Sequence, residues 1–231
     1  MTDAPDQRPI RSFVRRAGRQ TRAQDRALSE LWPRFGVDLP EAGTAPALDL
    51  ATVFGRAAPC VLEIGFGNGD ALISMAGASP DRNFLGVEVH APGIGHCLLA
   101  IERVGLANVR LLMHDAAEFL LERLADHSLA GVHLFFPDPW HKKRHHKRRL
   151  VQPKFVALLA ARIAPGGYFH VATDWPEYAA HIREVVAGNP AFQSVECPPA
   201  GPLGGRPRTR FEARGERLGH PIWEAVFQRS S

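Results

Sequence analysis

Three alternate glycines, five carboxylates and a block of cations are the residues of this 231-residue chain whose types and spacing suit chemistry. In VLEIGFGNGD, Gly65, Gly67 and Gly69 stand between a strand-like run and a helix-like segment, where glycine lets backbone approach a ligand closely. A dinucleotide fingerprint would place the third glycine one residue later, where Asp70 stands. Glu63 inside the motif is a poor neighbour for a diphosphate and a good one for a cationic ligand. Glu88 lies 19 residues past Gly69 at the end of the next strand-like run, where an acid can accept both hydroxyls of a ribose. Asp115 follows the third run and suits an adenine amino group.

The segment FFPDPWHKKRHHKRR (135–149) carries the second constellation. Pro137 and Pro139 fix φ near −65° and remove two backbone donors, which gives a stiff turn able to aim Asp138 and Trp140. An aromatic and an acid on such a turn suit a flat heterocycle, stacked on the indole and donating N–H groups to the carboxylate. Six cations follow at once, Lys142, Lys143, Arg144, Lys147, Arg148 and Arg149, so phosphates would lie beside the base. His114, His141 and His170 read as packing or phosphate contacts, and no His/Cys/carboxylate spacing resembles a closed metal site.

The elements that must position these residues alternate regularly. Strand-like runs fall at 59–65, 83–89, 108–114, 131–137, 167–173 and 192–196, and most are continuously apolar, as strands buried on both faces of a parallel sheet are. Helix-like spacing fills 70–78, 93–104, 116–125, 150–163 and 176–186, and 220–228 reads as a last strand after a Pro/Gly-rich loop. This predicts a doubly wound α/β sheet whose strand ends share one edge, with Glu63, Glu88, Asp115, Asp138 and Asp174 at five successive ends. Residues 1–45 lack strand pattern and are expected to form a basic arm and a helix packed through Leu28, Leu31 and Trp32, with the domain proper over 46–231.

Charge is concentrated: residues 1–26 carry a net +4 and residues 141–149 a net +6, which leaves the rest of the chain at −6 against an overall +4. An acidic body with two basic patches is the footprint of a protein that grips a polyanion, although each patch alone also fits a solvated face. Cys60, Cys97 and Cys197 are far apart without C-x-x-C, which suggests reduced, buried thiols rather than a disulfide framework or a zinc knuckle. The apolar stretches are about half the roughly 20 residues of a membrane span, and a cytosolic protein without a signal peptide is expected.

The glycine loop resembles the E-x-G-x-G-x-G turn of methyltransferases that use S-adenosylmethionine. Across RPIRSFVRR, LEIGFGNG, FLGVEVHAPGIG, FFPDPWHKKRHHKRR, HVATDWPEYAAHI and TRFEARGERLGH the chain is similar to the bacterial tRNA (guanine-N7)-methyltransferases. The resemblance implies a Rossmann-like, mostly parallel seven-stranded sheet with helices on both faces and an antiparallel C-terminal strand. It implies S-adenosylmethionine as methyl donor, held by Glu63, Gly65, Gly67, Gly69, Glu88, Asp115 and Asp138, with Asp138 also catalytic. Lys142, Asp174, Thr209, Arg210, Phe211 and Glu212 would hold the guanosine, and Arg144, His145, His146, Lys147, Arg148 and Arg149 would touch tRNA. At Arg210 many members have lysine, and the two cations are not equivalent at a tight site. No metal and no obligatory protein partner are implied.

N7 of guanine carries no proton, so the reaction needs positioning and electrostatics rather than a strong base. Two other readings stay open from the residues: a methyltransferase acting on an amino group, given the likeness of P-D-P-W to D-P-P-Y turns, and a non-catalytic RNA-binding subunit on the same fold.

Overall fold

A computed structural model describes residues 20–40, 47–196, 206–207, 212 and 219–230. Two short helices lead, α1 (Arg22–Glu30) and α2 (Trp32–Phe35), followed by a third, α3 (Leu50–Phe54). Strand–helix alternation then runs β1 (Cys60–Ile64), α4 (Asp70–Ala78), β2 (Asn83–Glu88), α5 (Ala91–Val104), β3 (Val109–Met113), α6 (Ala116–Glu122) and β4 (Leu129–Phe135). After a 3-10 turn at Lys143–Arg148 come α7 (Pro153–Arg162), β5 (Ile163–Thr173), α8 (Pro176–Ala187), β6 (Phe192–Val195) and β7 (Trp223–Arg229). The sheet order is β3-β2-β1-β4-β5-β7-β6, with β1 to β5 parallel and β7 antiparallel to both its neighbours. This is the seven-stranded, doubly wound sheet expected from the sequence.

β1 is buried at every position because both of its faces are covered. On one face Val61, Phe84, Val109 and Leu111 pack with Leu72, Met75, Ile94 and Leu98 of α4 and α5. On the other, Leu62, Leu85, Leu112 and Val132 pack with Phe119, Phe155, Leu159, Tyr178 and Ile182 of α6, α7 and α8. Cys60 and Cys97 are buried free thiols, while Cys197 lies outside the described residues.

The leading helix belongs to this core: Ala27, Leu31 and Phe35 are buried in the α4/α5 layer, with Leu28 and Trp32 packed beside them. Thr21 and Gln24 start α1 with a reciprocal capping box, and Gln24 Nε2 also donates to the Pro92 carbonyl at 3.0 Å. The basic residues before Gln20 lie outside the described residues.

Several boundaries differ from the periodicity reading. α5 begins two residues earlier than expected, with Pro92 in its first turn, where a proline's missing N–H has no helical partner to lose. β5 begins at Ile163, inside the expected helix, because Ile163 already pairs with Leu129 before the register shifts at Leu129/Gly131. α3, five residues long, is too short for a helical period to register; Asp49 caps it by accepting from Ala51 N.

Candidate active site

The carboxyl ends of β1 to β5 share one edge, and the loops leaving them meet there. Gly65, Gly67 and Gly69 all have positive φ, at 67°, 58° and 85°, so the turn between β1 and α4 is a shape that side-chain-bearing residues rarely adopt. A Cβ on Gly65 would meet nothing within 4 Å, so the loop bounds open space there. From behind, α5 presses on it: a Cβ on Gly93 would stand 2.3 Å from the Gly67 carbonyl oxygen.

Two acids hold different parts of this turn. Glu88 accepts from Gly67 N through Oε2 at 2.9 Å and from Val89 and His90 N through Oε1 at 2.7 and 3.0 Å. It therefore fastens the glycine loop to the end of β2 at the crevice. Glu63 is 3% exposed, its Oε2 has no hydrogen-bond partner, and burial pushes its carboxyl up to about 8. A buried acid with an unmet oxygen beside an open glycine turn fits a ligand that brings positive charge and N–H groups. Asp115 caps α6, Oδ1 accepting from Glu118 N at 2.9 Å.

The turn after β4 is more strained than its two prolines suggest. Phe136 and Trp140, on either side of Pro137-Asp138-Pro139, have φ of 52° and 49°, a left-handed conformation that costs an aromatic residue about 1–2 kcal/mol each. Phe136 N donates to the Ala172 carbonyl at 2.8 Å and Arg149 Nε to the Pro139 carbonyl at 2.9 Å, so the turn is tied at both ends. Asp138 is exposed at its apex.

The basic block is not a uniform surface. Lys142, Lys143, Arg144 and Lys147 are exposed along the 3-10 turn. Arg148 lies over the Trp140 indole at 3.9 Å, and His145 meets the same ring edge-on. Trp140, expected to stack a substrate ring, thus has one face occupied by the basic turn. Arg149, expected among the RNA contacts, turns inward here: its side chain is 2% exposed and also reaches His146 Nε2 at 3.1 Å and Glu177, with its guanidinium against Tyr178. The buried Tyr178 ring and the Pro139 carbonyl offer this arginine more than water does, so it turns inward as a strut.

At the end of β5, Asp174 Oδ2 lies 3.9 Å from His220 Nδ1, and Trp175 packs between the His141 and His220 rings at 4.2 and 6.0 Å. Trp175 Nε1 and His220 Nδ1 are both buried without a hydrogen-bond partner. His114 stays local, its Nδ1 at 3.0 Å from the Asp115 carbonyl. Thr209, Arg210 and Phe211 lie outside the described residues.

Glu212 leads to a network that neither spacing nor charge runs pointed to. Arg206 Nη1 donates to Glu212 Oε2 at 2.6 Å and Nη2 donates to Glu224 Oε2 at 3.1 Å. Glu224 Oε1 is 2.5 Å from Nε2 of the fully buried His170. Burial opposes the charge of Arg206, but the two carboxylates hold its guanidinium above the ordinary arginine value. Burial likewise raises Glu224, yet His170 and Arg206 keep it below the usual carboxylate range. Only the place of Glu224 between Ile222 and Val226 on one strand face hinted at its inward position.

Among the described residues no group of three or more His, Cys, Asp or Glu side chains is arranged to hold a metal ion, and no helix is long and apolar enough to cross a membrane.

Comparisons with known proteins follow the same lines. Residues 57–225 match a family model described as "Putative methyltransferase". The tRNA (guanine-N(7)-)-methyltransferase of Alkalilimnicola ehrlichii is 53% identical over 98% of this chain and 95% of its own length, and that of Nitrosococcus oceani is 54% identical over 96% and 92%. Among solved structures, the 16S rRNA methyltransferase KamB superposes with a TM-score of 0.56 at 18% identity, covering 85% of this chain and 98% of its own, a likeness of fold. With near-complete coverage at more than half identity, and a glycine turn, acid set and P-D-P-W turn converging on one sheet edge, the chain belongs to the bacterial tRNA (guanine-N7)-methyltransferase family.

Proposed function

We propose that this protein methylates N7 of a guanosine in the variable loop of tRNA, in the cytoplasm, using S-adenosylmethionine. The observation that carries the reading is the shared edge, where a buried acid with one unmet oxygen and an open glycine turn stand beside an acid on a strained turn that leads directly into exposed cations. When bound, S-adenosylmethionine supplies a methyl on a sulfonium, so that the C–S bond breaks as the N7–C bond forms and S-adenosylhomocysteine leaves.

Each role belongs to a residue of this chain. Glu63, with its unmet oxygen, accepts from the methionyl ammonium; Gly65, Gly67 and Gly69 bring backbone close to the same portion. Glu88 accepts the ribose hydroxyls while fixing Gly67, and Asp115 accepts from the adenine amino group. Asp138 stands where positive charge arrives on the purine, so its carboxylate lowers the barrier without moving a proton. Asp174 and Glu212 accept from guanine N1–H and the exocyclic amine, an edge that distinguishes guanine from adenine, and Lys142 with Thr209, Arg210 and Phe211 closes over the nucleoside. Arg144, Lys147 and Arg148, with His145 and His146, hold the tRNA backbone, aided by the basic arm of residues 1–45, while residues 46–231 carry the reaction.

Methyl transfer from labelled S-adenosylmethionine to an unmodified tRNA transcript, followed by nuclease digestion and nucleoside identification, tests the reading. N7-methylguanosine is expected. A different methylated nucleoside would overturn the guanine assignment and leave the donor site standing; no transfer despite tRNA binding would overturn the catalytic reading.

A further inference from the structure

The network around Arg206 is expensive where it stands. Arg206 is 3% exposed in its side chain and its Nε has no partner; His170 is 0% exposed and its Nδ1 has none either. A buried ionic group of this kind contributes little to stability compared with apolar packing of the same volume. Its members come from three places in the chain: His170 from β5, Glu224 from β7, and Arg206 and Glu212 from the connection between β6 and β7. Its neighbours are the aromatic rings that lead into the P-D-P-W turn. The Arg206 guanidinium carbon lies 5.5 Å from the Phe135 ring centroid and 5.2 Å from that of Phe136. Phe135 in turn meets His170 edge-on at 5.0 Å and stacks with His133 at 5.2 Å. Phe136 is the residue whose left-handed backbone opens the turn carrying Asp138.

We infer that Arg206, Glu224 and His170 are positioning residues for methyl transfer: Glu224, oriented by His170 Nε2–H, fixes the guanidinium of Arg206, which holds Glu212 with one nitrogen and backs the Phe136 end of the Asp138 turn. The geometry explains why an arginine is needed. Its planar fork reaches two carboxylates on different elements while its flat face lies against rings, and a lysine ammonium does neither at once. Glu224 uses both oxygens, one for the histidine and one for the arginine, so it acts as a bridge between β5 and the returning connection. The acceptor side of the site is thereby referenced to the sheet, although its chain connection is long.

The inference rests on the proposed guanosine role of Glu212, and the experiment separates the two. Arg206→Lys, Glu212→Gln, their combination, and the apolar pair Arg206→Met with Glu224→Met are assayed on full-length protein. The readouts are kcat and KM for tRNA, S-adenosylhomocysteine affinity, Tm, and the identity of the product nucleoside. Arg206→Lys is expected to lower kcat at least about tenfold with S-adenosylhomocysteine affinity and Tm nearly unchanged, and to add little on top of Glu212→Gln because the two act as one unit. The apolar pair leaves His170 Nε2 and Glu212 without these partners, so it is expected to lower Tm while losing the same activity; should it fail to fold, Arg206→Lys carries the test. Wild-type kcat in Arg206→Lys, or full additivity with Glu212→Gln, would overturn the positioning role. A wild-type product other than N7-methylguanosine would overturn the guanosine reading instead, whatever the variants do.

Discussion

The two halves of the site are built on opposite plans. On the proposed donor side, β1 to β3, the acids that have partners meet backbone amides at strand ends and in the adjoining turns: Glu88 those of Gly67, Val89 and His90, Asp115 that of Glu118 in the first turn of α6. On the acceptor side, β4, β5 and β7, the supporting residues are far apart in sequence, and Arg149, Arg206, Glu224 and His170 reach across elements to fix a strained turn. A methyl donor is the same in every turnover, and a pocket made of local backbone serves it. A tRNA arrives as a large polyanion whose base must be admitted and aligned, and the acceptor side is accordingly assembled from segments that meet only in the folded molecule.

The sharpest way to break this division is Asp138→Ala. It is expected to lower kcat about a hundredfold or more, the scale for removing one electrostatic stabiliser, with tRNA affinity and S-adenosylhomocysteine affinity changed by less than about threefold. Equal loss of turnover and tRNA binding in steady-state and filter-binding measurements would move Asp138 from chemistry to binding. Next in size is Gly93→Ala. Its new methyl would lie 2.3 Å from the Gly67 carbonyl and drive the glycine loop into the donor site. Overpacking of about 1–3 kcal/mol, if it falls on the bound state, corresponds to roughly 5- to 150-fold weaker S-adenosylhomocysteine binding by calorimetry, with tRNA binding spared. Comparable loss of both ligands would show that the halves are not separable.

Glu63 gives a smaller, pH-dependent effect. Its folded value of about 8 lies above the ordinary 4.5, so its contribution to stability is complete below about pH 4.5 and is lost as pH rises through 8. An ammonium-bearing ligand needs the carboxylate. S-adenosylhomocysteine affinity should therefore rise by up to about tenfold per unit as pH approaches 8, with one proton released on binding. Glu63→Gln should flatten that rise and blunt the fall in Tm of the ligand-free protein between pH 5 and 8. An unchanged pH profile of binding in the variant would remove Glu63 from the donor site.

The smallest effects distinguish the cations. Arg144→Ala and Lys147→Ala should each reduce the salt slope of tRNA binding by about 0.7–0.9. Arg149→Ala should leave that slope alone and lower Tm by roughly 4–8 °C, for about 2 kcal/mol of lost support to the Asp138 turn. The reverse pattern, a changed slope with unchanged Tm, would return Arg149 to the RNA surface.

Much of the donor half was legible in the order of residues. Buried parallel strands leave continuous apolar runs, the β1–α4 turn needs positive φ and so shows as glycines, and acids at successive strand ends converge because parallel strands end on one edge. Thr21 and Gln24 at the start of α1 are similarly local. The acceptor half was legible only where it is local, in Pro137, Asp138, Pro139 and the cations after them.

The sequence by itself therefore determined the sheet, the glycine turn and the acids near the strand ends, because periodicity, φ preference and strand direction act over a few residues. The tertiary structure alone decided that Arg149 faces Pro139 and Tyr178 rather than solvent, that Arg148 covers Trp140, and that Arg206 joins Glu212 to Glu224 and His170. Charge in a sequence carries no direction. Whether a cation meets water, a ring or a buried carboxylate depends on which distant segments pack around it, and that is settled only when the layers close.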